Sequence, residues 1–598
     1  MFLRAKTRIK DGKEHRYWSV VENRRVSGGK TIQRQVLYLG EIGGSQQAQW
    51  SRALEAFDEG AGAGRMTQIA LFPEDRAAAP PCEAVQVRLK DFELHRPRQW
   101  GACWLALDLW EQLQLDAFWN GRLPPSRKGT SWLNVLKTLA CYRLIDPGSE
   151  WRLHRQWWDT SAMGDLLGED AALAESHKLY RCLDKLLEHK EALFTHLQER
   201  WKTLFNPRFD VLLYDLTSTY FESDPPGEGK RKHGYSRDKR PDCVQVVIAL
   251  IVTPEGFPLA YEVLAGNTSD KTTLGDFLAR IERQYGKADR IWVMDRGIPT
   301  EETLGKMRAS SPPVSYLVGT PKGRLTALEK DFLGHPWSQA KETVSVKLLE
   351  QKGEVYILAK SEGRVLKERA MRRRRLKKFW ARLQELQRQE PSRDRLLLKL
   401  GAAQKEAGRA ASLVTVKLPK SGQPVTPETF SFTLNRKKLR ACRRHEGRYL
   451  LRSNLTGQAP AELWAFYIQL TEVEQAFKEL KGDLAIRPVY HQTDERIEAH
   501  IFVAFLAYCL QVTLKRRLRA LAPGLTPRAV LEKFAAIQML DVHFPATDGR
   551  TLIFTRYTQP EKDHQLLLQQ LKLRLPPQPP PRIAKRKTAQ PARCGADF

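Results

Sequence analysis

The sequence predicts a multidomain α/β protein whose centre is a mixed sheet flanked by helices. Its 598 residues, 42% hydrophobic and 28% charged, are too many for one core and too apolar for a disordered chain. From Phe209 onward, apolar runs, turn signals and helical stretches follow the order β-β-β-α-β-α-β. That order is typical of a mixed sheet with helices packed against it.

Two smaller parts are expected before this sheet. Residues 1–95 combine short apolar stretches with turn residues such as Gly28 and Gly29, which predicts a small basic β-rich module followed by a linker. Residues 96–206 carry apolar residues at every third or fourth position, which predicts a helical domain.

The remainder of the chain divides into five stretches by composition. They are a first part of the core at 207–320, an insertion with short strands and a basic helical run at 321–448, a second part of the core at 449–520, a C-terminal helical region at 521–574, and a disordered, basic, Pro-rich tail at 575–598. In the first part of the core, Pro254-Glu255-Gly256 separates two β-rich runs, which predicts a hairpin.

The charge of the chain indicates a polyanionic partner. There are 98 Lys and Arg residues against 69 Asp and Glu, a net charge of +29. Such an excess favours binding to nucleic acid. It also favours solubility without any partner, so the charge alone does not identify DNA.

Cysteine usage and hydropathy predict a cytoplasmic protein that does not enter a membrane. The eight Cys residues form no C-x-x-C pair, which fits a reducing compartment. The basic start lacks the apolar run of an export signal. The most apolar run, Ile501 to Leu510, is about half the length that spans a bilayer, so a buried helix is expected.

Three carboxylates stand where buried elements are expected to end. Asp215 follows the apolar run VLLY and Asp295 follows IWVM, so both are expected at the end of a strand and at one edge of the sheet. Glu474 lies on a predicted helix, seven residues after Tyr467 and seven before Lys481. Seven residues are two helical turns, so these three side chains are expected on one helix face.

A site rich in carboxylates suits hard divalent cations. Mg²⁺, or Mn²⁺ in its place, takes oxygen ligands, and two such ions can activate a hydroxyl and stabilise the leaving oxygen of a phosphodiester. Each residue also has an ordinary structural interpretation, since an Asp after a strand often caps a turn and a Glu on a charged helix usually faces solvent.

The segments around these acids resemble the DDE transposases of bacterial insertion sequences, in the IS-four-like group with an RNase H-like core. The resemblance covers roughly Phe209 to Arg517 and rests on YDLTSTYFES around Asp215, on VMDRG around Asp295, and on the group signature Y-x2-R-x3-E-x6-K. Tyr467, Glu474 and Lys481 occupy three of its four positions.

The fourth position departs from the signature, because Leu470 stands where the group has Arg. The resemblance implies that the Tyr, Arg and Lys hold phosphates at the transposon end. That contact is therefore absent here or supplied by another residue, and Lys478, one turn beyond Glu474, is a possible substitute.

The resemblance implies cut-and-paste transposition. Asp215, Asp295 and Glu474 would hold two Mg²⁺ or Mn²⁺ ions, and the partners would be double-stranded DNA at the terminal inverted repeats and at the target. The protein would act as a homodimer on DNA, associated with the nucleoid, with no small-molecule cofactor. The helical domain at 96–206 would serve in DNA binding or dimerisation. Two alternatives stay open: a catalytically inactive DNA-binding descendant and a stand-alone metal-dependent endonuclease.

Two further features are candidate nucleic-acid contacts. The segment from Gly229 to Arg240 is expected to contact phosphates through Lys230, Arg231, Lys232, Arg237, Lys239 and Arg240, although a solvated loop has the same composition. Trp337 is a possible base-stacking residue, with core packing as the alternative. His233 and His491 stand in no metal-ligand spacing and are not assigned as ligands.

Overall fold

The computed structural model describes residues 2–10, 13–25, 31–41, 86–222, 229–269, 274–285, 290–389 and 391–584. The chain forms two compact units, one of Met1–Gly101 with Lys533–Phe598 and one of Ala102–Glu532. The first and last parts of the chain thus belong to one unit, a division that differs from the expected linear series of domains.

Three antiparallel strands form a sheet at the start of the chain. They are β1 (Phe2–Lys10), β2 (Lys13–Arg25) and β3 (Thr31–Glu41), with β2 in the centre. Val20 and Val21 on the central strand are buried. The expected β-rich character is confirmed for these strands, and residues 42–85 of the expected module lie outside the described residues.

The stretch up to Phe205 is helical after one strand, β4 (Glu93–Gln99). Its α-helices are Gly101–Gln112, Leu115–Trp119, Trp132–Ile145, Glu150–Arg152, Trp158–Thr160, Met163–Leu167, Ser176–Leu183 and Lys190–Phe205. Ser131 and Ser149 cap two of them, because each hydroxyl accepts a hydrogen bond from a first-turn N–H. The predicted helical domain is therefore confirmed as a fold element.

The core sheet is mixed. Its central strands are β5 (Val211–Tyr220), β6 (Gln245–Val252), β7 (Pro258–Ala265), β8 (Ile291–Met294) and β9 (Ser315–Gly319). Their order is β7-β6-β5-β8-β9; β6 is antiparallel to both neighbours, and β8 is parallel to both of its own. Helices Leu274–Tyr285 and Glu301–Ala309 make the crossovers, so the predicted order β-β-β-α-β-α-β is confirmed.

The predicted hairpin lies between β6 and β7. Every residue of β6 is buried, as expected for a strand covered on both faces. The turn closes with a hydrogen bond of 2.9 Å from Thr253 N–H to Phe257 O, and Gly256 takes the left-handed conformation there, with φ of 92°.

Part of the expected insertion extends the core sheet. Strands β10 (Ser338–Lys341), β11 (Val344–Gln351) and β12 (Glu354–Ser361) follow the helix Lys322–Leu328 and form an antiparallel ribbon. The ribbon reaches β9 through a later strand, Arg448–Ser453, which pairs with both β12 and β9. The nine-stranded sheet thus satisfies the open edge of β9, which a separate insertion would have left exposed.

The rest of the insertion has its own core. The insertion helix (Glu362–Gln389) packs against helix Arg393–Ala407 through buried side chains that include Phe379, Leu383 and Leu396. Strands β13 (Val414–Lys417) and β14 (Ser431–Leu434) form a two-stranded sheet, and helix Arg436–His445 leads to β15, the strand Arg448–Ser453.

Three helices follow β15. They are Pro460–Ile468, the Glu474 helix (Leu470–Lys481) and the core helix (Asp494–Leu521). The core helix is long and apolar enough to cross a membrane, but 94% of its apolar window is buried inside the protein. The Tyr508 hydroxyl donates to Gly256 O at 3.0 Å, tying this helix to the β6–β7 turn. The predicted buried helix is confirmed.

The expected C-terminal helical region, 521–574, is only partly helical. Helices Pro527–Ala535 and Lys562–Gln570 flank two strands, β16 (Gln538–Pro545) and β17 (Thr551–Tyr557). These strands form an antiparallel sheet with β4 and with β18 (Arg582–Ala584). The helical prediction is wrong here because β16 pairs with a strand far away in sequence. The prediction of a disordered tail from residue 575 is also wrong for its first part, because β18 pairs with β17. Residues 585–598 lie outside the described residues.

Candidate active site

The structure brings the three predicted acids to one cavity of about 290 Å³. Asp295 follows the last residue of β8, and Glu474 lies in the first half of its helix. Tyr214 on β5 pairs with Met294 on β8, so Asp215 and Asp295 follow paired positions of two parallel strands. The expectation that Asp215 ends its strand is wrong, because β5 continues to Tyr220 and pairs with β6.

Asp215 has an unusual electrostatic environment. Its pKa is raised to about 7, first by burial and then by the nearby carboxylates of Asp295 and Glu474, against the opposing effects of the Leu216 N–H and the Arg237 cation. The Leu216 N–H donates to Asp215 Oδ1 at 2.8 Å. A desolvated carboxylate repelled by two others is stabilised in its ionised form by a bound cation.

These residues fit a hard divalent cation. All three offer oxygen ligands, and the repulsion of the Asp215 carboxylate by Asp295 and Glu474 is the electrostatic condition that a cation relieves. Three further side chains in the described part of the chain, Glu150, His491 and His500, have ligand atoms within 4.8 Å of one another. Arg143 lies 4.0 Å from Glu150 and already supplies a positive charge, so that cluster is better described as a buried ion-pair network.

Tyr467 contacts the second acid. Its hydroxyl donates to Asp295 Oδ1 at 3.3 Å, and burial together with the Asp295 charge raises the pKa of Tyr467 above its ordinary range. Gly319, at the end of β9, makes room for this contact, since a Cβ there would lie 2.8 Å from the Tyr467 hydroxyl and 3.4 Å from Asp295 Oδ1. A side chain at this position would therefore displace the Tyr467 hydroxyl from its contact with Asp295.

The predicted stripe of Tyr467, Glu474 and Lys481 on one helix is wrong for Tyr467. The helix is interrupted at Gln469, so Tyr467 belongs to the preceding helix. Lys481 is not among the residues lining the cavity, and its ammonium contacts Asp238 Oδ1 at 2.7 Å. Arg487 also pairs with Asp238. Burial lowers the pKa of Lys481, although the carboxylate opposes the effect.

The basic segment from Gly229 to Arg240 packs on the core more closely than a solvated loop would. Lys230 Nζ lies 3.1 Å from Glu498, and Arg240 pairs with Glu222 and Asp242. Arg231 is 5% exposed and its guanidinium lies over the Phe221 ring, so the predicted phosphate contact by Arg231 is not supported. Lys239 is exposed and Lys232 and Arg237 are partly exposed.

The remaining residues singled out in the sequence differ in their exposure. Lys478 is exposed on the Glu474 helix. Trp337 is 41% exposed beside β10, with Lys347 Nζ 5.1 Å from its ring centre, so it is not part of the core. Leu470 lines the cavity and is buried.

Two cationic side chains in the cavity wall were missed by sequence reasoning, Arg296 and Arg364. Arg296 directly follows Asp295, a position that could have drawn attention to it. Arg364 belongs to the insertion helix, 110 residues before Glu474 in the numbering, and no local pattern marks it.

Three carboxylates line one cavity beside the mixed sheet of a strongly basic chain, an arrangement that fits an enzyme acting on nucleic acid. Residues 207–510, just over half of the 598 residues, match the family described as "Transposase DDE domain". Residues 3–64 match the family described as "IS1634 family transposase, N-terminal domain". The chain therefore belongs to the DDE transposases of insertion sequences, while its place in the IS-four-like group stays a prediction.

No curated protein matches the chain. Among solved structures, the chain is similar to one titled "Cryo-EM structure of piggyBac transposase synaptic complex with hairpin DNA", at 8% identity and a TM-score of 0.34, over 74% of this chain and 82% of that one.

Proposed function

We propose that this transposase cuts DNA at the ends of its own element and joins the released 3′ ends to target DNA, using Asp215, Asp295 and Glu474 to hold two Mg²⁺ or Mn²⁺ ions. The observation that carries the proposal is the convergence of these acids, from two strands and a distant helix, on one cavity. Divalent metal use itself follows from membership of the family.

The ions would activate the attacking oxygen and stabilise the leaving oxygen in an in-line displacement at phosphorus. The chain's own residues fix where this happens. The Leu216 N–H orients Asp215, the Tyr467 hydroxyl orients Asp295, and the Glu474 helix packs its buried Val473 and Phe477 inward so that Glu474 is held at the cavity.

The partners we propose are the terminal inverted repeats and target DNA, bound by a homodimer because two ends must be cut together. The N-terminal sheet and the helical domain would recognise the ends. The protein would work in the cytoplasm at the nucleoid, where its DNA lies. The net charge of +29 supports a DNA partner, since phosphate contacts dominate such binding.

The test uses the purified full chain, DNA spanning the boundaries of its own element, and Mg²⁺ or Mn²⁺. Wild type should make discrete cuts at the inverted-repeat boundaries, and Glu474→Gln should bind the same DNA without cutting it. Unrelated DNA of equal length is the control, because equally fast cutting there would indicate a stand-alone endonuclease. Binding without cutting by wild type would indicate an inactive descendant.

A further inference from the structure

The cavity that holds the three acids also has cationic side chains in its wall. Arg296 and Arg364 line it, whereas the Glu474 helix contributes the apolar Leu470. Carboxylates can hold metal ions, but they repel the phosphate on which the ions act. A cavity for a metal-bound phosphodiester therefore needs cationic donors on another wall.

Arg364 is held at the start of a long helix. It lies in the first turn of the insertion helix, and its backbone N–H donates to Ser361 Oγ at 3.4 Å. One turn later, Glu368 accepts a hydrogen bond of 2.9 Å from Gly447 N–H. Gly447 has a φ of 73°, and a Cβ there would collide with Val365. The start of this helix is thus packed tightly against the turn that leads into β15.

The side chain of Arg364 combines a fixed stem with an accessible end. Its guanidinium carbon lies 4.9 Å from the centre of the Tyr449 ring, and its Nε lies 3.4 Å from Glu368 Oε1. The side chain is nevertheless 43% exposed. A guanidinium has donors on all three nitrogens, so the bond through Nε leaves the terminal nitrogens able to meet a ligand in the cavity.

Arg364 is also electrostatically close to the acids. Its positive charge opposes the rise in the pKa of Tyr467, whose hydroxyl bonds Asp295. The same cavity is therefore lined both by the three acids and by a guanidinium that lies over an aromatic ring.

We propose that Arg364 binds the phosphate of the DNA strand being cut, supplying from the insertion the cationic contact that Leu470 does not make. This inference rests on the proposed function, because it assumes that the cavity receives a phosphodiester. It assigns part of the insertion to the active site rather than to a separate module.

The test compares Arg364→Met, which keeps the length of the side chain, with Arg364→Lys, which keeps its charge. Arg373→Met is the matched control, since Arg373 is exposed on the same helix and does not line the cavity. Single-turnover cleavage is measured at saturating element-end DNA, with the dissociation constant and the unfolding midpoint measured alongside. Arg364→Met should cut about 10²-fold more slowly, and Arg364→Lys should recover part of that rate.

Three results would overturn the inference. One is a cleavage rate of Arg364→Met equal to that of the wild type. Another is an equal loss in the Met and Lys variants accompanied by a lower unfolding midpoint, which would make Arg364 a packing residue. The third is an equal loss of cleavage rate in Arg373→Met, which would show that removing any positive charge from this helix has the same effect. Glu474→Gln is assayed in parallel: if it cuts like wild type, the proposed function itself is wrong, whereas failure of Arg364→Met alone leaves that function intact.

Discussion

At the scale of single residues, ionisation of the buried Asp215 carboxylate is unfavourable in the metal-free protein, and a bound metal ion would offset that cost. Its pKa is raised to about 7, mainly by burial and then by Asp295 and Glu474. The native state therefore holds a proton on Asp215 that the unfolded chain releases near pH 4. Without metal, this residue makes stability fall as the pH rises from about 4 to about 7.

We therefore expect Asp215→Asn to stabilise the metal-free protein at pH 8 by roughly 1–3 kcal/mol, and to leave it little changed at pH 4. The asparagine still accepts the Leu216 N–H. The measurement is the free energy of unfolding in chelator at both pH values. Asp210→Asn is the control, because Asp210 is 42% exposed and pairs with Arg208. An unchanged free energy of unfolding at pH 8 would show that the ionised Asp215 carboxylate does not destabilise the metal-free protein.

At the scale of elements, one buried ion-pair network joins the helical domain to the core helix. Arg143, Glu150, His491 and His500 are all less than 8% exposed. Burial would raise the pKa of Glu150, but hydrogen bonds from His491 and His500 hold it well below its usual range. Burial and Arg143 lower the pKa of His500 to about 4, so it is neutral near pH 7.

Removing the carboxylate would leave Arg143 buried without its counter-charge. Glu150→Gln should therefore lower the free energy of unfolding by about 3 kcal/mol at pH 7. Metal-dependent cutting per folded molecule should be unchanged, because this network is separate from the acid cavity. Denaturant titration and a cleavage assay normalised to folded protein check both expectations. An exposed-acid control, Glu188→Gln, should change neither, and an unaltered stability of Glu150→Gln would contradict the network.

The basic segment from Gly229 to Arg240 divides into cations with internal partners and cations open to DNA. Replacing Lys232 and Lys239 together by Gln should flatten the slope of log affinity against log salt by up to about two. Lys230 and Arg240, replaced together by Gln, form the matched control, since both make internal ion pairs. Equal slopes for the two double variants would show that the internal pairs do not decide which cations meet phosphate.

At the scale of the whole molecule, the parts predictable from sequence are those that local patterns encode. The core strands follow from short apolar runs and turn residues, and Asp215 and Asp295 follow from their positions near the ends of VLLY and IWVM. Long-range pairing is not encoded in this way. Lys230 meets Glu498 across 268 residues, β4 pairs with β16 near the other end of the chain, and Arg364 reaches the acid cavity from the insertion.

The role of Asp215, Asp295 and Glu474 as metal ligands is tested most directly by a change of ligand atom. Asp295 is the suitable position because it is exposed in the cavity wall. Asp295→Cys replaces a hard oxygen by a softer sulfur, which binds Mg²⁺ poorly and Mn²⁺ better. Cleavage of element-end DNA by this variant should be lost in Mg²⁺ and partly restored in Mn²⁺. Wild-type cleavage in Mg²⁺, or no recovery in Mn²⁺ by a folded variant that still binds DNA, would contradict the assignment.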